Sequence, residues 1–255
     1  RPGRSQVAGS YISLSEALVL VHGYMGGSAQ WAGQVQAFSP HFTVITPDLP
    51  GFGANSHANA PESIQGFAEF VLEDVTSRGI DRFHLLGHSM GGMIVQQMTA
   101  MAPERVDRLV LYGTGPIGAL PGRFEPIAES ARRVREEGVE VTGRRIAATW
   151  FADYDEATNY PVCADLAVQA SEQAALAGLA AMEKWSGESA LKSIQSHTLV
   201  LWGDLDRAYQ WEQVERLWRE ISDVRLAVVP GCSHAVHLEK PGLFNALLRD
   251  FLLPD

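Results

Sequence analysis

Short apolar runs rich in Val, Leu and Ile recur along this chain, and between them lie longer segments whose apolar residues have helical spacing. The short runs predict buried strands at 18–21, 42–46, 83–86, 109–112, 198–202 and 225–229. The longer segments predict helices at 28–38, 64–76, 90–101, 212–220 and 243–252. This alternation predicts the α/β fold class, with a mostly parallel, doubly wound sheet whose ligand site lies at the carboxyl ends of the strands.

The alternation is interrupted once, between residues 113 and 196. A gap of roughly 80 residues is too long for an ordinary loop. It is rich in Ala, Glu, Arg and Gln, and it predicts helices near 126–137, 141–151, 164–170 and 172–185. We interpret residues 114–195 as a helical cap inserted in one catalytic core, which residues 1–113 and 196–255 form. The alternative is a second helical domain without contact to the site.

A glycine-rich turn joins the strand at 83–86 to the helix at 90–101, and its sequence at 87–92 is Gly-His-Ser-Met-Gly-Gly. A G-x-S-x-G motif between a strand and a helix is typical of a nucleophile elbow, which holds its serine above the sheet. The small neighbours are required because any larger side chain would collide with the adjacent backbone. Ser89 is therefore the candidate nucleophile, although a serine here could also serve only as a helix cap.

A serine nucleophile needs a histidine that accepts its proton and a carboxylate that orients the histidine. In this kind of fold both follow the serine, the acid before the histidine. Asp204 and Asp206 follow the strand at 198–202, and His234 follows the strand at 225–229. The order and the positions at strand ends both match a catalytic triad.

The motifs together resemble the α/β-hydrolase superfamily, in particular the small bacterial esterases, enol-lactonases and meta-cleavage hydrolases. They are His22-Gly23 and the segments 48–53, 87–92, 202–207 and 231–240, and they span the chain except for the predicted cap. By this resemblance the acid is Asp206, three residues after the glycine of its loop, and the base is His234. The resemblance also implies an oxyanion hole formed by the backbone N–H groups of Tyr24 and Met90.

Further residues are candidates for the substrate pocket, and they are His22, Met25, His88, Arg144, Arg145, Trp150, Trp185 and His237. Among the arginines of the insertion, Arg123, Arg132 and Arg133 have nearby glutamates that could pair with them on a solvated helix face. Arg144 can reach Glu140, whereas Arg145 has no acidic residue three or four positions away. We therefore expect one of Arg144 and Arg145 to face a carboxylate of the substrate; an apolar ester is the alternative.

Composition and charge limit the kinds of binding partner and the location that can be expected. A net charge of −10 provides no basic face for nucleic acid. Cys163 and Cys232 suggest neither a disulfide framework nor a zinc site, so a reducing, cytoplasmic location is expected, and Cys232 is interpreted as a bystander. No apolar run is long enough for a membrane span, and the N-terminal residues show no signal peptide. We predict no metal and no cofactor, and the oligomeric state stays open.

The sequence thus predicts a serine hydrolase that cleaves a small-molecule ester, lactone or related carbonyl substrate. A serine nucleophile departs from the haloalkane dehalogenases and epoxide hydrolases, which use a carboxylate. A carbon–carbon bond hydrolase acting on a dienoate is one alternative, although His88 and Ala235 replace the Asn and the aromatic residue common in the meta-cleavage enzymes. A second alternative is a non-catalytic receptor for a small ligand on the same fold.

Overall fold

The computed structural model describes residues 16–253. Within them the sheet has six strands: β1 (Ala17–Val21), β2 (Thr43–Ile45), β3 (Phe83–His88), β4 (Val106–Tyr112), β5 (His197–Gly203) and β6 (Val224–Val229). All neighbouring strands are parallel, in the order β2-β1-β3-β4-β5-β6. This confirms the predicted α/β class. The expectation for the N-terminal residues lies outside the described range.

Five helices accompany the sheet in the first and last parts of the chain. They are α1 (Ala32–Phe38), α2 (Ile64–Ser77), α3 (Met90–Met101), α8 (Trp211–Glu220) and α10 (Pro241–Leu252), and the short α9 (Val236–Glu239) precedes the last of them. The segment predicted as one helix from residue 28 begins instead with a 3-10 turn, Ser28–Trp31. There the Asp48 carboxylate accepts 2.8 Å hydrogen bonds from the N–H and the hydroxyl of Ser28.

Side chains of each strand alternate between two cores because successive residues of a strand point to opposite faces. Val19, Val21 and Leu85 belong to the core on one face, which continues into the helices of the insertion. Leu18 and Leu20 belong to the core on the other face, with Phe38 of α1. β3 is buried along its whole length, as expected for a central strand between helical layers.

Four helices lie between β4 and β5: α4 (Ile127–Glu137), α5 (Val139–Ala148), α6 (Tyr160–Ala167) and α7 (Glu172–Lys184). Ser171 caps α7, where its hydroxyl accepts from the Ala174 N–H at 3.0 Å. The Arg207 guanidinium, on the loop after β5, donates to the carbonyls of Phe151 and Ala152 at 2.7 and 3.1 Å. These bonds hold the inserted segment against the carboxyl ends of the strands.

None of the helices within residues 16–253 combines the length and the apolarity needed to cross a membrane.

Candidate active site

The turn between β3 and α3 holds Ser89 in an unusual backbone conformation, with φ 60° and ψ −122°. A positive φ is rare for a residue with a Cβ and is typical of functional sites. The glycines around it allow this turn to sit close to its neighbours. A Cβ on Gly87 would fall 2.2 Å from the Gly91 carbonyl oxygen, and one on Gly91 would fall 2.3 Å from the Val21 carbonyl oxygen. The turn therefore projects Ser89 above the carboxyl end of the sheet.

His234 and Asp206 form a buried pair next to this turn. The His234 Nδ1 lies 2.7 Å from Asp206 Oδ2, and the His234 and Asp206 side chains are 2% and 0% exposed. The other carboxylate oxygen, Oδ1, accepts from the backbone N–H groups of Ala208 and Tyr209 at 2.8 and 3.1 Å. Since the carboxylate can only accept, Nδ1 carries the proton and the His234 Nε2 keeps its lone pair. The pair can therefore hold the imidazole as a proton acceptor.

Asp204, the other carboxylate of this loop, has a different partner. Its Oδ1 accepts from the Gly231 N–H at 2.7 Å, at an exposed position. This bond ties the loop after β5 to the loop after β6. Asp204 thus stabilises the position of the His234 loop, while Asp206 contacts the imidazole itself.

Two further histidines surround His234. The Nε2 of His88 donates to the His234 carbonyl at 2.9 Å, and the Tyr112 hydroxyl also lies 3.1 Å from that carbonyl. His237 Nδ1 lies 2.8 Å from the Tyr112 hydroxyl. Burial lowers the pKa of His237 to about 3 and holds the pKa of His88 well below its usual range, with a further lowering from the neighbouring His234. Both rings are neutral at pH 7 and fix the backbone of the His234 loop.

The loop after β1 reaches the same turn. A Cβ on Gly23 would fall 2.9 Å from Ser89 Cβ and 3.3 Å from the Met90 nitrogen, so only glycine allows this approach. His22 fixes the loop: its Nδ1 donates to the Gly23 carbonyl at 2.8 Å, and its Nε2 accepts from the Leu49 N–H at 3.0 Å. Burial lowers the pKa of His22 to about 4, so this ring is also neutral.

The backbone N–H groups of Tyr24 and Met90 lie on either side of the close contact between the loop after β1 and the serine turn. Among the hydrogen bonds of residues 16–253, neither N–H donates to a protein acceptor. Two free backbone donors beside a serine turn can bind a carbonyl oxygen that develops negative charge.

Two small cavities meet at Ser89, with about 30 and 10 Å³ available to the centres of water molecules. A volume of about 10–15 Å³ on this measure holds one water, so the two cavities together have room for only a few waters. The cavities are lined by Gly23, Tyr24, Gly26, Gln30, His88, Ser89, Gly118, Leu120, Arg123, Phe124, Ile146, Trp150, Cys163, Met182, Ala208, Tyr209 and His234.

Of the candidate pocket residues, His88 and Trp150 line these cavities. Both contact the His234 loop: the Ala235 N–H donates to the Trp150 carbonyl at 2.9 Å, and the His88 side chain bonds to the His234 carbonyl. His22 and His237 are instead buried in the supporting hydrogen-bond network, and Met25 is fully buried in the core. Trp185 lies elsewhere, where its Nε1 donates to Gln97 Oε1 at 3.2 Å. Those four positions support the site or lie apart from it.

The two arginines expected at the pocket do not line it. Arg144 and Arg145 border an open groove on the outside of the insertion. Arg145 donates to both carboxylate oxygens of Glu125, at 3.0 and 3.1 Å, so the expectation that it lacks an acidic partner is wrong. Glu125 lies twenty positions earlier in the chain, beyond the reach of a rule based on one helix. Arg144 lies 3.6 Å from Glu140, as its spacing indicates.

Several cavity residues were not recognised from the sequence, among them Tyr209, Arg123 and Cys163. The hydroxyl of Tyr209 lies beside those of Ser89 and Thr114. Arg123 lines the cavity, although its nearby glutamates suggested a paired surface residue. Cys163 of α6 lies at the second cavity, where burial raises the pKa of its thiol to about 12. No local motif marks these residues, because their position depends on how the insertion packs on the core.

Cys232 is fully buried, and burial raises the pKa of its thiol to about 11. At pH 7 it is a protonated thiol, and a protonated thiol is a weak nucleophile.

Known proteins resemble this chain over almost its whole length. "Putative carbamate hydrolase RutD" of Agrobacterium fabrum is 27% identical over 98% of this chain and 97% of its own length. The 2-hydroxy-6-oxo-6-phenylhexa-2,4-dienoate hydrolase of Burkholderia cepacia is 29% identical over 93% of this chain and 87% of its own. The crystal structure of the enol-lactonase from Burkholderia xenovorans LB400 superposes with a TM-score of 0.86 and 25% identity, covering 94% of this chain and 92% of that one.

A family model described as the alpha/beta hydrolase fold matches residues 16–241. This range contains the sheet, the serine turn, the buried His234–Asp206 pair and the inserted helices. The protein therefore belongs to the α/β-hydrolase family of enzymes.

Proposed function

We propose that this protein is a serine hydrolase that cleaves a carboxylic ester or a lactone through an acyl-enzyme. Ser89 is the nucleophile, His234 the general base and Asp206 the acid that orients the base. One observation carries this proposal: His234 Nδ1 and Asp206 Oδ2 are 2.7 Å apart and buried, at a cavity that Ser89 also lines. A buried, hydrogen-bonded histidine and carboxylate beside a serine is the arrangement that nucleophilic catalysis by serine uses.

In the first step the Ser89 oxygen attacks the substrate carbonyl carbon while His234 Nε2 takes the serine proton. The carbonyl oxygen becomes an oxyanion, which the Tyr24 and Met90 N–H groups stabilise. His234 then returns the proton to the leaving alcohol as the tetrahedral intermediate collapses to the acyl-enzyme. A water molecule, deprotonated by His234, releases the acid and restores Ser89. A lactone yields a hydroxy acid by the same steps.

Asp206 has a defined part in this cycle. Its Oδ2 accepts the Nδ1 proton of His234, and its Oδ1 is held by two backbone N–H groups, which fix the carboxylate plane. This arrangement keeps the basic lone pair on Nε2 and stabilises the imidazolium that forms in each step.

Residues 114–195 act in this proposal as a cap over the site. Leu120, Ile146, Trp150 and Met182 of this segment line the cavity at Ser89. Because the two cavities have room for only a few waters, the cap has to open for substrate and then close again. Closure excludes bulk water from the acyl transfer.

Carbon–carbon bond hydrolysis is the second candidate, because dienoate hydrolases are 29% identical to this chain. His88 weighs against it. Its Nε2 donates to the His234 carbonyl at 2.9 Å, and its Nδ1 lies 3.4 Å from the Gln30 amide nitrogen, so its ring has no N–H left for a dienoate. We therefore favour the ester or lactone reaction.

Labelling with a fluorophosphonate probe tests the serine assignment. The wild-type protein should be labelled covalently, and Ser89→Ala should lose both labelling and hydrolysis, because the acyl-enzyme cannot form. Ser233→Ala is the matched control, since Ser233 lies next to His234 and its hydroxyl bonds to the Thr149 carbonyl. Labelling that persists in Ser89→Ala overturns the proposal. A panel of p-nitrophenyl esters, lactones, carbamates and dienoates then separates the reaction classes, and a burst without turnover indicates the receptor alternative.

A further inference from the structure

Arg123 differs from the other arginines of the inserted segment. It lies before α4, is half-buried, and lines the cavity at Ser89 together with Tyr24 and Tyr209. Arg132 and Arg133 pair with glutamates on α4, as their spacing predicts. Arg123 forms no ion pair with an acidic side chain among residues 16–253. Arg123 is therefore a cation at the cavity beside Ser89 that has no carboxylate partner.

The nearest acid to Arg123 is already engaged. The Glu125 carboxylate is 8% exposed, accepts two hydrogen bonds from Arg145 and one from the Ser130 hydroxyl, and lies 3.6 Å from Arg133. Of Glu125, Arg123 contacts only the backbone carbonyl, to which its Nη1 donates at 2.7 Å. The Glu125 carboxylate is thus occupied by Arg145 and Ser130, and it forms no ion pair with Arg123.

The hydrogen bonds of Arg123 involve one nitrogen. Its Nη1 donates to the Glu125 carbonyl at 2.7 Å and to the Ser130 hydroxyl at 2.9 Å, and its guanidinium lies over the Phe124 ring at 4.3 Å. These contacts fix the plane of the guanidinium. The Nε and Nη2 donors have no protein acceptor among the described residues. Together they form the edge that binds a carboxylate through two parallel hydrogen bonds.

We infer that Arg123 binds a carboxylate carried by the substrate, so that the ester or lactone cleaved at Ser89 has a free acid group elsewhere in the molecule. This inference rests on the proposed serine hydrolase function. With a net charge of −10, the protein as a whole repels anions, so an anionic substrate gains its affinity from local contacts of this kind. Burial lowers the pKa of Arg123 from its usual value, and the guanidinium stays charged at pH 7.

The test compares two matched series of esters. The first contains the p-nitrophenyl monoesters of succinate, glutarate and adipate, and the second contains the same compounds with the free acid blocked as a methyl ester. The wild-type protein should prefer one member of the acid series over its blocked partner. Arg123→Met should reduce this preference, measured as the ratio of the two kcat/KM values, about 10- to 100-fold, the value of a charge-assisted hydrogen bond. The loss should lie mainly in KM.

Arg144→Met is the control, because Arg144 has a similar chemistry but borders the outer groove. It should leave the ratio unchanged. Arg123→Lys keeps the charge but lacks the planar guanidinium, so it should lose part of the preference for the acid series. This variant also serves as a second test if Arg123→Met does not fold. An unchanged ratio in both Arg123 variants overturns the inference.

Binding provides a readout that needs no turnover. Monomethyl glutarate should bind the Ser89→Ala protein in calorimetry, and adding Arg123→Met should raise its Kd about tenfold or more. Absent binding, or equal Kd values, also overturns the inference. If Ser89→Ala still hydrolyses the esters, the proposed function itself fails. If Ser89→Ala is inactive and the Arg123 variants keep the preference, only the carboxylate assignment fails.

Discussion

The phenol ring of Tyr209 stacks on the imidazole of His234, with ring centroids 5.6 Å apart and an angle of 11° between the planes. Its hydroxyl lies beside the hydroxyls of Ser89 and Thr114. Burial raises the pKa of this phenol above its usual range, so it stays protonated and able to donate. One side chain therefore contacts both the proposed base and the proposed nucleophile, which makes Tyr209 a positioning residue.

Tyr209→Phe removes this hydroxyl and keeps the stacked ring. We expect kcat/KM to fall about 3- to 10-fold, because one hydrogen bond contributes about 0.5–1.5 kcal/mol. Steady-state hydrolysis of a p-nitrophenyl ester measures this. Tyr160→Phe is the control, since the Tyr160 hydroxyl donates to the Arg144 carbonyl at 3.2 Å, away from Ser89. Identical kinetics for the two variants would show that the Tyr209 hydroxyl has no effect on the serine.

Substituting the two aspartates of the loop after β5 should have very different effects on kcat. Asp206→Asn should lower kcat by up to about ten-thousandfold with the fold intact, because an amide favours the wrong tautomer of His234. Asp204→Asn should cost only a few-fold, since Asp204 bonds to the Gly231 N–H and not to the imidazole. Steady-state kinetics of both variants measure these losses, and circular dichroism checks that both variants are folded. Equal losses would mean that the loop shares the role.

The buried histidines make the fold sensitive to acid. The folded protein holds the pKa of His22 at about 4 and that of His237 at about 3, whereas an unfolded histidine has a pKa near 6.5. Below about pH 6.5 the unfolded chain therefore binds protons that the folded chain does not, and the free energy of unfolding decreases as the pH falls. Urea denaturation between pH 7.5 and about pH 4.5 should show this decrease.

The variant His237→Phe tests the source of that acid sensitivity. It should make the dependence on pH shallower, because it removes one buried group that protonates on unfolding. His57→Gln is the control, since His57 is exposed. A slope that His237→Phe leaves as steep as in the wild type would assign the sensitivity to other groups.

The contact between the serine turn and β1 depends on a glycine. In Gly91→Ala the new Cβ would fall 2.3 and 2.5 Å from the carbonyl oxygens of Val21 and His22, both in the backbone. We expect a loss of several kcal/mol in unfolding free energy, or no folded protein. Gly33→Ala is the matched control, because no atom lies within 4 Å of its Cβ and an alanine in helix α1 should add about 0.5–1 kcal/mol. Comparable stability of both variants would contradict this close approach.

The strands and helices of this protein were predictable from the sequence to within a few residues. Buried parallel strands are short apolar runs, and helices repeat their apolar residues every three or four positions, so both patterns are visible locally. The serine turn is local as well, because the glycines before and after Ser89 are needed for its backbone geometry. The fold class and the position of the candidate site at the strand ends followed from these signals.

The lining of the cavity depended on the tertiary structure. The spacing along the helix predicted no acidic partner for Arg145. Its partner, Glu125, lies twenty positions earlier in the chain, before α4. Arg123 seemed paired because glutamates are near it in the chain, yet the fold gives those carboxylates to other arginines. Spacing along one helix predicts partners on that helix alone, while a charge at a cavity is decided by every element that packs around it. The sheet and the serine turn could therefore be predicted from local patterns in the sequence, whereas the charges that face Ser89 depend on how the insertion packs on the core.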